Sequence, residues 1–298
     1  MKVVLTYALS PIQRWARVGR LPSRKALIAF SLFGIVTLMG VVAPILAPHD
    51  PKEIDLANSS APPIWARDGS PRYVLGADPL GRDVLSRVLY GFRTSLAVAF
   101  ASVGLGQLIG VSVGLVAGYF GGIIGAFLMR VADINIAFPA ILLAMLLGVI
   151  FGPGFITVTF AIGAVLWARV ARVLRGEVLS IKERDFVLAA RAIGCTDRRI
   201  LVRHILPNLF NIILVLATLE VGSVILLEAS LTFLGAGIPP PNPTLGGMVV
   251  AGRDYLSNAW WISMFPGLAI VLIVVVYNLT GNAIRDVLDP TLRRSAKG

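Results

Sequence analysis

The chain alternates long apolar runs with short polar breaks, and the length of the runs sets the architecture. Ala26–Leu46, Ser95–Tyr119, Ile123–Phe151, Phe155–Val173, Leu209–Leu231 and Ile262–Ile284 carry few charges. About 20 apolar residues cross a hydrocarbon core of about 30 Å as a helix. Six such runs predict an all-α polytopic membrane protein with six transmembrane helices.

The breaks predict how the runs are joined. Ala47-Pro48-His49-Asp50-Pro51 ends the first run, Phe120-Gly121-Gly122 is a tight inner turn, and Gly152-Pro153-Gly154 is an outer turn. Pro139 lies inside the third run and predicts a kink there. In the polar stretch His49–Arg93, Asp78 is placed to cap a helix with Pro79 at its first position. Val84, Leu85, Val88 and Leu89 then form an apolar stripe, so an amphipathic helix is expected over Asp78–Tyr90. Gly235–Asn258 is rich in Pro and Gly, with Leu245–Val250 expected to dip into the bundle. In the second run, Gly106, Gly110, Gly114 and Gly118 recur every fourth residue. That spacing puts a smooth stripe on one helix face and predicts a close helix–helix approach.

Charge supplies direction. Met1–Lys25 holds Lys2, Arg14, Arg17, Arg20, Arg24 and Lys25 without an acid. The loop from Arg169 to His204 has nine Lys or Arg residues against Glu177, Glu183, Asp185 and Asp197. In His49–Arg93 bases and acids balance. Lys and Arg collect on the cytoplasmic side, so both termini are expected in the cytoplasm. The expected division is a cytoplasmic tail over 1–25, a first transmembrane helix with an outer segment over 26–93, a five-helix core over 94–284, and a cytoplasmic tail over 285–298.

Composition agrees with the membrane reading. Of 298 residues, 56% are hydrophobic and 14% charged, where a soluble domain carries about a quarter. The net charge of +11 is explained by the cytoplasmic face and anionic lipid, without nucleic acid as a partner. The single cysteine, Cys195, excludes an intrachain disulfide.

Ionisable residues inside a membrane usually pair or line a polar path. Arg130 and Asp133 lie three apart in the third run and read first as a structural pair, with substrate contact as the alternative. Glu220 falls near the middle of the fifth run, where it either lines a polar path or makes a buried hydrogen bond between helices. No GxxxxGK[ST] phosphate loop, HExxH or GxSxG is present, and His49 and His204 fall on opposite sides of the expected membrane. An enzyme is not expected; a conduit powered from elsewhere is.

The longest polar interruption in the last two thirds, Asp185–Asn208, shows where that power enters. Asp185 is placed to cap a helix over Phe186–Ile193, about 12 Å long. Gly194 is placed to stop it in a left-handed turn. Ala189, Ala190 and Ala192 make the helix narrow; Phe186, Ile193 and Arg191 offer anchors for a groove on another protein. Thr196 or Asp197 can cap a basic helix carrying Arg198, Arg199 and Arg203, and Pro207 ends that helix or restarts the fifth run.

Here the chain resembles the EAA motif of ABC-importer permeases, which reads Glu-Ala-Ala, three residues, Gly, nine residues, Ile, one residue, Leu-Pro. Ala189-Ala190, Gly194 and Leu206-Pro207 match; Leu188 stands in place of the Glu and His204 in place of the Ile. Other stretches resemble the dipeptide/oligopeptide/nickel branch, and its C-type permease subunit in particular. They are Leu75-Gly76-Ala77-Asp78 with Gly81-Arg82-Asp83-Val84-Leu85-Ser86-Arg87, Ala117-Gly118-Tyr119-Phe120-Gly121-Gly122, Leu231-Thr232-Phe233-Leu234-Gly235 and Arg285-Asp286-Val287-Leu288-Asp289-Pro290.

The resemblance implies a type I importer permease fold in the bacterial cytoplasmic (inner) membrane, in a heterodimer with a B-type permease. Two ABC ATPases below would hold ATP and Mg, with no cofactor on this chain, and a solute-binding protein would dock above. The cargo implied is di- or oligopeptides, with nickel chelates or another small solute as alternatives; a self-sufficient channel or secondary transporter is the reading from another class. Phe186–Gly194 becomes the coupling helix, with Phe186, Leu188, Ala189, Ala190, Arg191, Gly194, Arg198, Leu206 and Pro207 as the ATPase-facing set. Gly76, Asp78, Gly81, Arg82 and Asp83 become candidate outer-face contacts, and Glu220 and Asp133 candidate pathway residues.

Overall fold

A computed structural model describes residues 24–288. The tails expected at 1–25 and 285–298 therefore lie largely outside the described residues. Ten of the eleven α-helices among the described residues organise the fold, the other being the single turn Ala43–Leu46 after the first. They are α1 (Arg24–Val41), α2 (Val84–Phe120), α3 (Gly122–Ala137), α4 (Ala140–Phe151), α5 (Phe155–Lys182), α6 (Asp185–Ala192), α7 (Asp197–Ile200), α8 (Leu206–Phe233), α9 (Leu245–Gly252) and α10 (Trp261–Leu288). Among the described residues the fold has no strand, only an isolated bridge between Ala77 and Asp83.

Among the described residues, five helical stretches are long and apolar enough to cross a membrane: α1, α2, α5, α7 through α8, and α10. The third apolar run behaves differently from a kinked span. It breaks between Ala137 and Ala140 into α3 and α4, which meet at 90°. Pro139 has no N–H and disfavours helical geometry at Phe138, whose backbone is extended (φ −79°, ψ 136°). A sixth crossing exists only if the bent pair is one span.

The helix expected over Asp78–Tyr90 is also corrected. Asp78 does not cap a helix. Its carboxylate accepts from the Leu80 and Arg82 N–H groups and from Arg82 Nε, closing a turn in which Gly81 takes φ +74°. The helix starts five residues later, where Asp83 caps it by accepting from the Ser86 N–H at 2.9 Å. It then runs unbroken for 37 residues, about 55 Å at 1.5 Å per residue. The expected boundary at 93/94 thus falls inside α2. Likewise α5 continues past Val173 to Lys182.

The α2–α5 contact is the spine of the bundle. A Cβ on Gly106, Gly110, Gly114 or Gly118 would meet Leu166, Val170, Leu174 or Val178 of α5 at 2.6–2.9 Å. Without those Cβ atoms the backbones close to van der Waals contact. In lipid such packing, rather than a hydrophobic driving force, holds helices together. The expected inward dip of Leu245–Val250 takes the form of α9, capped by Thr244, with Leu245 and Met248 buried in the main apolar core.

Candidate functional site

The inner loop is built on an apolar root. Val187 and Ala190 share one face of α6, three residues apart, and are buried with Val170, Leu174, Val178 and Ile181 of α5 and with Ile200, Ile205 and Leu209. Phe186, expected as an outward knob, packs against this same cluster. The outward apolar surface belongs to Leu188, 44% exposed, and Ile193, 81% exposed.

Asp185 is the first residue of α6, not its cap; Arg184 holds the cap position in extended backbone, and no side chain caps the end. Asp185 in the first turn and Arg191 in the last match the helix dipole. The end of α6 is as expected. Gly194 takes φ +80°, the Cys195 N–H donates to Ala190 O and the Gly194 N–H to Arg191 O, each at 3.0 Å. This is a Schellman stop, and it needs the left-handed residue that Gly supplies.

Thr196 precedes α7 without a side-chain cap bond. From α7 the chain passes through a π-helical stretch, Leu201–Ile205, straight into α8. Pro207 sits in the first turn of α8, where the α-helix resumes after the π stretch, so of the two expected roles it takes the restart. It cannot donate to the carbonyl four residues back, and the wider π turn just before it, where the Leu206 N–H reaches Leu201 O, takes up the mismatch. Leu206 and Pro207 are half-buried, and Arg198 is exposed.

One group that sequence reasoning passed over joins these parts. Tyr119, the second-last residue of α2, is 6% exposed. Its hydroxyl donates to Asp197 Oδ1 at 2.5 Å, and the Arg191 guanidinium stands 5.6 Å above its ring. The signal available was a tyrosine, apolar in body and polar at its tip, where a span ends before Gly121-Gly122.

The outer candidates form a separate, internal clasp. Arg82 Nε lies 2.7 Å and Arg87 Nε 3.5 Å from Asp78 Oδ2, and Arg87 also donates to Pro51 O at 2.9 Å. Asp83 accepts from Ser86 Oγ at 2.5 Å and faces His49 Nδ1 at 3.5 Å. A Cβ on Gly81 would strike the Asp55 backbone, and one on Gly76 the Trp261 ring. These five residues are turned into the chain, and Trp261 Nε1, donating to Ala77 O, ties the clasp to α10.

Beside the clasp, Asn58 and Tyr73 donate to the Asp55 carboxylate. Those bonds, with the Arg72 charge 3.1 Å away, hold it below the usual carboxylate range.

Of the membrane candidates, Asp133 pairs with Arg172 of α5, not Arg130, and both partners are about half exposed. Glu220 is 6% exposed, and neither of its carboxylate oxygens has a hydrogen-bond partner. The buried helix-to-helix bond anticipated for Glu220 occurs at Glu228, which accepts from Ser95 of α2 and from Thr232.

Comparison with known proteins matches this geometry. Residues 110–294 fit the family of binding-protein-dependent transport system inner membrane components, and residues 23–63 fit the N-terminal transmembrane domain of oligopeptide transport permease C. A di/tripeptide transport system permease protein of Pseudomonas aeruginosa is 40% identical over 88% of this chain and 86% of its own length. A glutathione transport system permease protein of Pectobacterium atrosepticum is 42% identical over 74% of this chain and 73% of its own. An inward-facing structure of the MetNI methionine ABC transporter superposes with a TM-score of 0.56 at 21% identity, covering 68% of this chain and 97% of the other. The chain belongs to the family of binding-protein-dependent transport system inner membrane components and is a multi-pass permease of an ABC importer in the bacterial inner membrane.

Proposed function

We propose that the chain is the C-type permease of a heterodimeric importer for short peptides, and that α6 is the helix through which partner ATPases act. The observation that carries the reading is the division of α6. Val187 and Ala190 root it in the bundle, while Leu188 in its middle and Ile193 at its Schellman-stopped end stand exposed. An exposed apolar face on a short loop helix is costly in water and fits a groove on a partner. The relatives that transport dipeptides, tripeptides and glutathione support peptide-class cargo. In this reading ATP and Mg act on the ATPases, both termini lie with them in the cytoplasm, and the sister permease completes the pathway beside Asp133 and Glu220. The clasp of Asp78, Arg82 and Asp83 serves outer partners by shaping the outer segment they meet.

The test is reconstitution with the sister permease, two ATPases and the binding protein. Gly194→Trp is expected to uncouple ATP hydrolysis from uptake; survival of both at native ratio sinks the coupling role. Flux of peptides through liposomes holding this chain alone would overturn the importer reading in favour of a self-sufficient transporter.

A further inference from the structure

We infer that Tyr119 is a positioning residue for coupling: it ties α6 and α7 to the inner end of α2, so that the loop and the α2–α5 pair move as one body. The inference rests on the coupling role proposed for α6.

The joint between α6 and α7 is short and is closed by backbone bonds alone. Only Ile193–Thr196 connects them, and a Cβ at Gly194 would meet nothing within 4 Å. The two backbone bonds of the Schellman stop close this turn, but no side chain packs over Gly194 to brace it from outside when α6 is pushed. The apolar contacts of Val187 and Ala190 bury the root but are non-directional. Tyr119 supplies direction. Its hydroxyl bonds Asp197 in the first turn of α7, and its ring lies under Arg191 in the last turn of α6. One side chain thus grips both arms across the joint. A hydrogen bond to a carboxylate is stronger than a neutral one, and a buried ring limits its relaxation.

What Tyr119 belongs to is stiff. Gly110, Gly114 and Gly118 seat α2 against α5, and Lys182 Nζ, at the end of α5, donates to Gly118 O at 3.2 Å. A displacement of α6 reaches this pair through Tyr119 instead of dissipating at the Gly194 turn.

The experiment uses the complete importer in liposomes, with a defined mixture of dipeptides and tripeptides read by mass spectrometry. Tyr119→Phe keeps the ring under Arg191 and removes only the hydroxyl. ATP hydrolysis is expected to stay within about twofold, while uptake per ATP falls roughly tenfold, on the scale of one lost charge-assisted bond. The double variant Tyr119→Phe/Asp197→Ala should be no worse than either single change, since both delete one bond. A spin label on Cys195, with partners lacking cysteine, should become more mobile in Tyr119→Phe. Should that variant not assemble, Asp197→Ala reads the same bond from its other end. An unchanged uptake-to-ATP ratio, or losses that multiply in the double variant, overturns the inference. Gly194→Trp, run beside it, separates the two readings. If Gly194→Trp uncouples and Tyr119→Phe does not, only this inference falls; if neither uncouples, the coupling role of α6 falls with it.

Discussion

Gly110 lies against Val170 so closely that a Cβ on Gly110 would stand 2.6 Å from the Val170 Cβ and from the Trp167 carbonyl oxygen. Neither neighbour is the free end of a flexible side chain, so Gly110→Ala has to push α2 from α5. Overpacking of this kind costs about 1–3 kcal/mol. Gly104, on the same helix, would meet nothing within 4 Å. Gly104→Ala is expected to be neutral or slightly stabilising, since Ala is the better helix former by about 1 kcal/mol. Thermal unfolding in detergent should show a clear drop in Tm for the first variant and none for the second.

The clasp on the outer side makes a sharper demand. Asp78 is the acid shared by Arg82 and Arg87, and all three are buried. Asp78→Ala leaves two guanidinium groups without that partner, a change that costs about 3–5 kcal/mol when a buried pair is broken. The expected readout is loss of protease resistance over the outer segment at a temperature where the native chain resists. Asp78→Asn, which keeps an oxygen acceptor, should fall between the two.

Acid acts on a neighbouring point. Hydrogen bonds from Asn58 and Tyr73, then the Arg72 charge, lower the Asp55 pKa below its ordinary 3.8. A carboxylate with a depressed folded pKa contributes its stability in full above the unfolded value and loses it as pH falls through the folded one. Hydrogen exchange over the outer segment should therefore be unaffected between pH 7 and about pH 5, and quicken below about pH 4 beyond the intrinsic trend. Asp55→Asn should remove that acid-dependent part.

How much of this was legible in the sequence depends on the range of the interaction. Five of the six apolar runs, the Gly repeat and the Gly194 stop are local or periodic, and each appears in the structure, though the helices of the second and fourth runs extend past the expected ends. The helix start at Val84 was misplaced because Asp78 and Asp83 are equally good caps in sequence. A non-local set of contacts decides between them: Asp55 backbone against Gly81, and Trp261 against Ala77. The 90° break at Phe138–Pro139 was visible as a proline but not as an angle. Tyr119 was hidden for the same reason, since Asp197 is 78 residues away. The face of α6 could be drawn from its 3.6 period, but which face is root and which is free depended on where α5 lies.

That division bears on Leu188, which stands where the EAA pattern has Glu and is exposed on the free face of α6. If docking to an ATPase rests on apolar fit, the side chain loses its remaining water contact in the groove. Burying that part of a leucine contributes about 1–2 kcal/mol, so Leu188→Ala should weaken ATPase association roughly five- to thirtyfold. Leu188→Glu should do no better, because a carboxylate placed in an apolar groove is desolvated without a partner. Titrating detergent-solubilised permease heterodimer with ATPase, and measuring affinity and ATP hydrolysis together, distinguishes the cases. A clear gain of coupling in Leu188→Glu would mean that the groove still presents a cation for an acid at this position. Apolar fit would then be an incomplete replacement for the ionic contact.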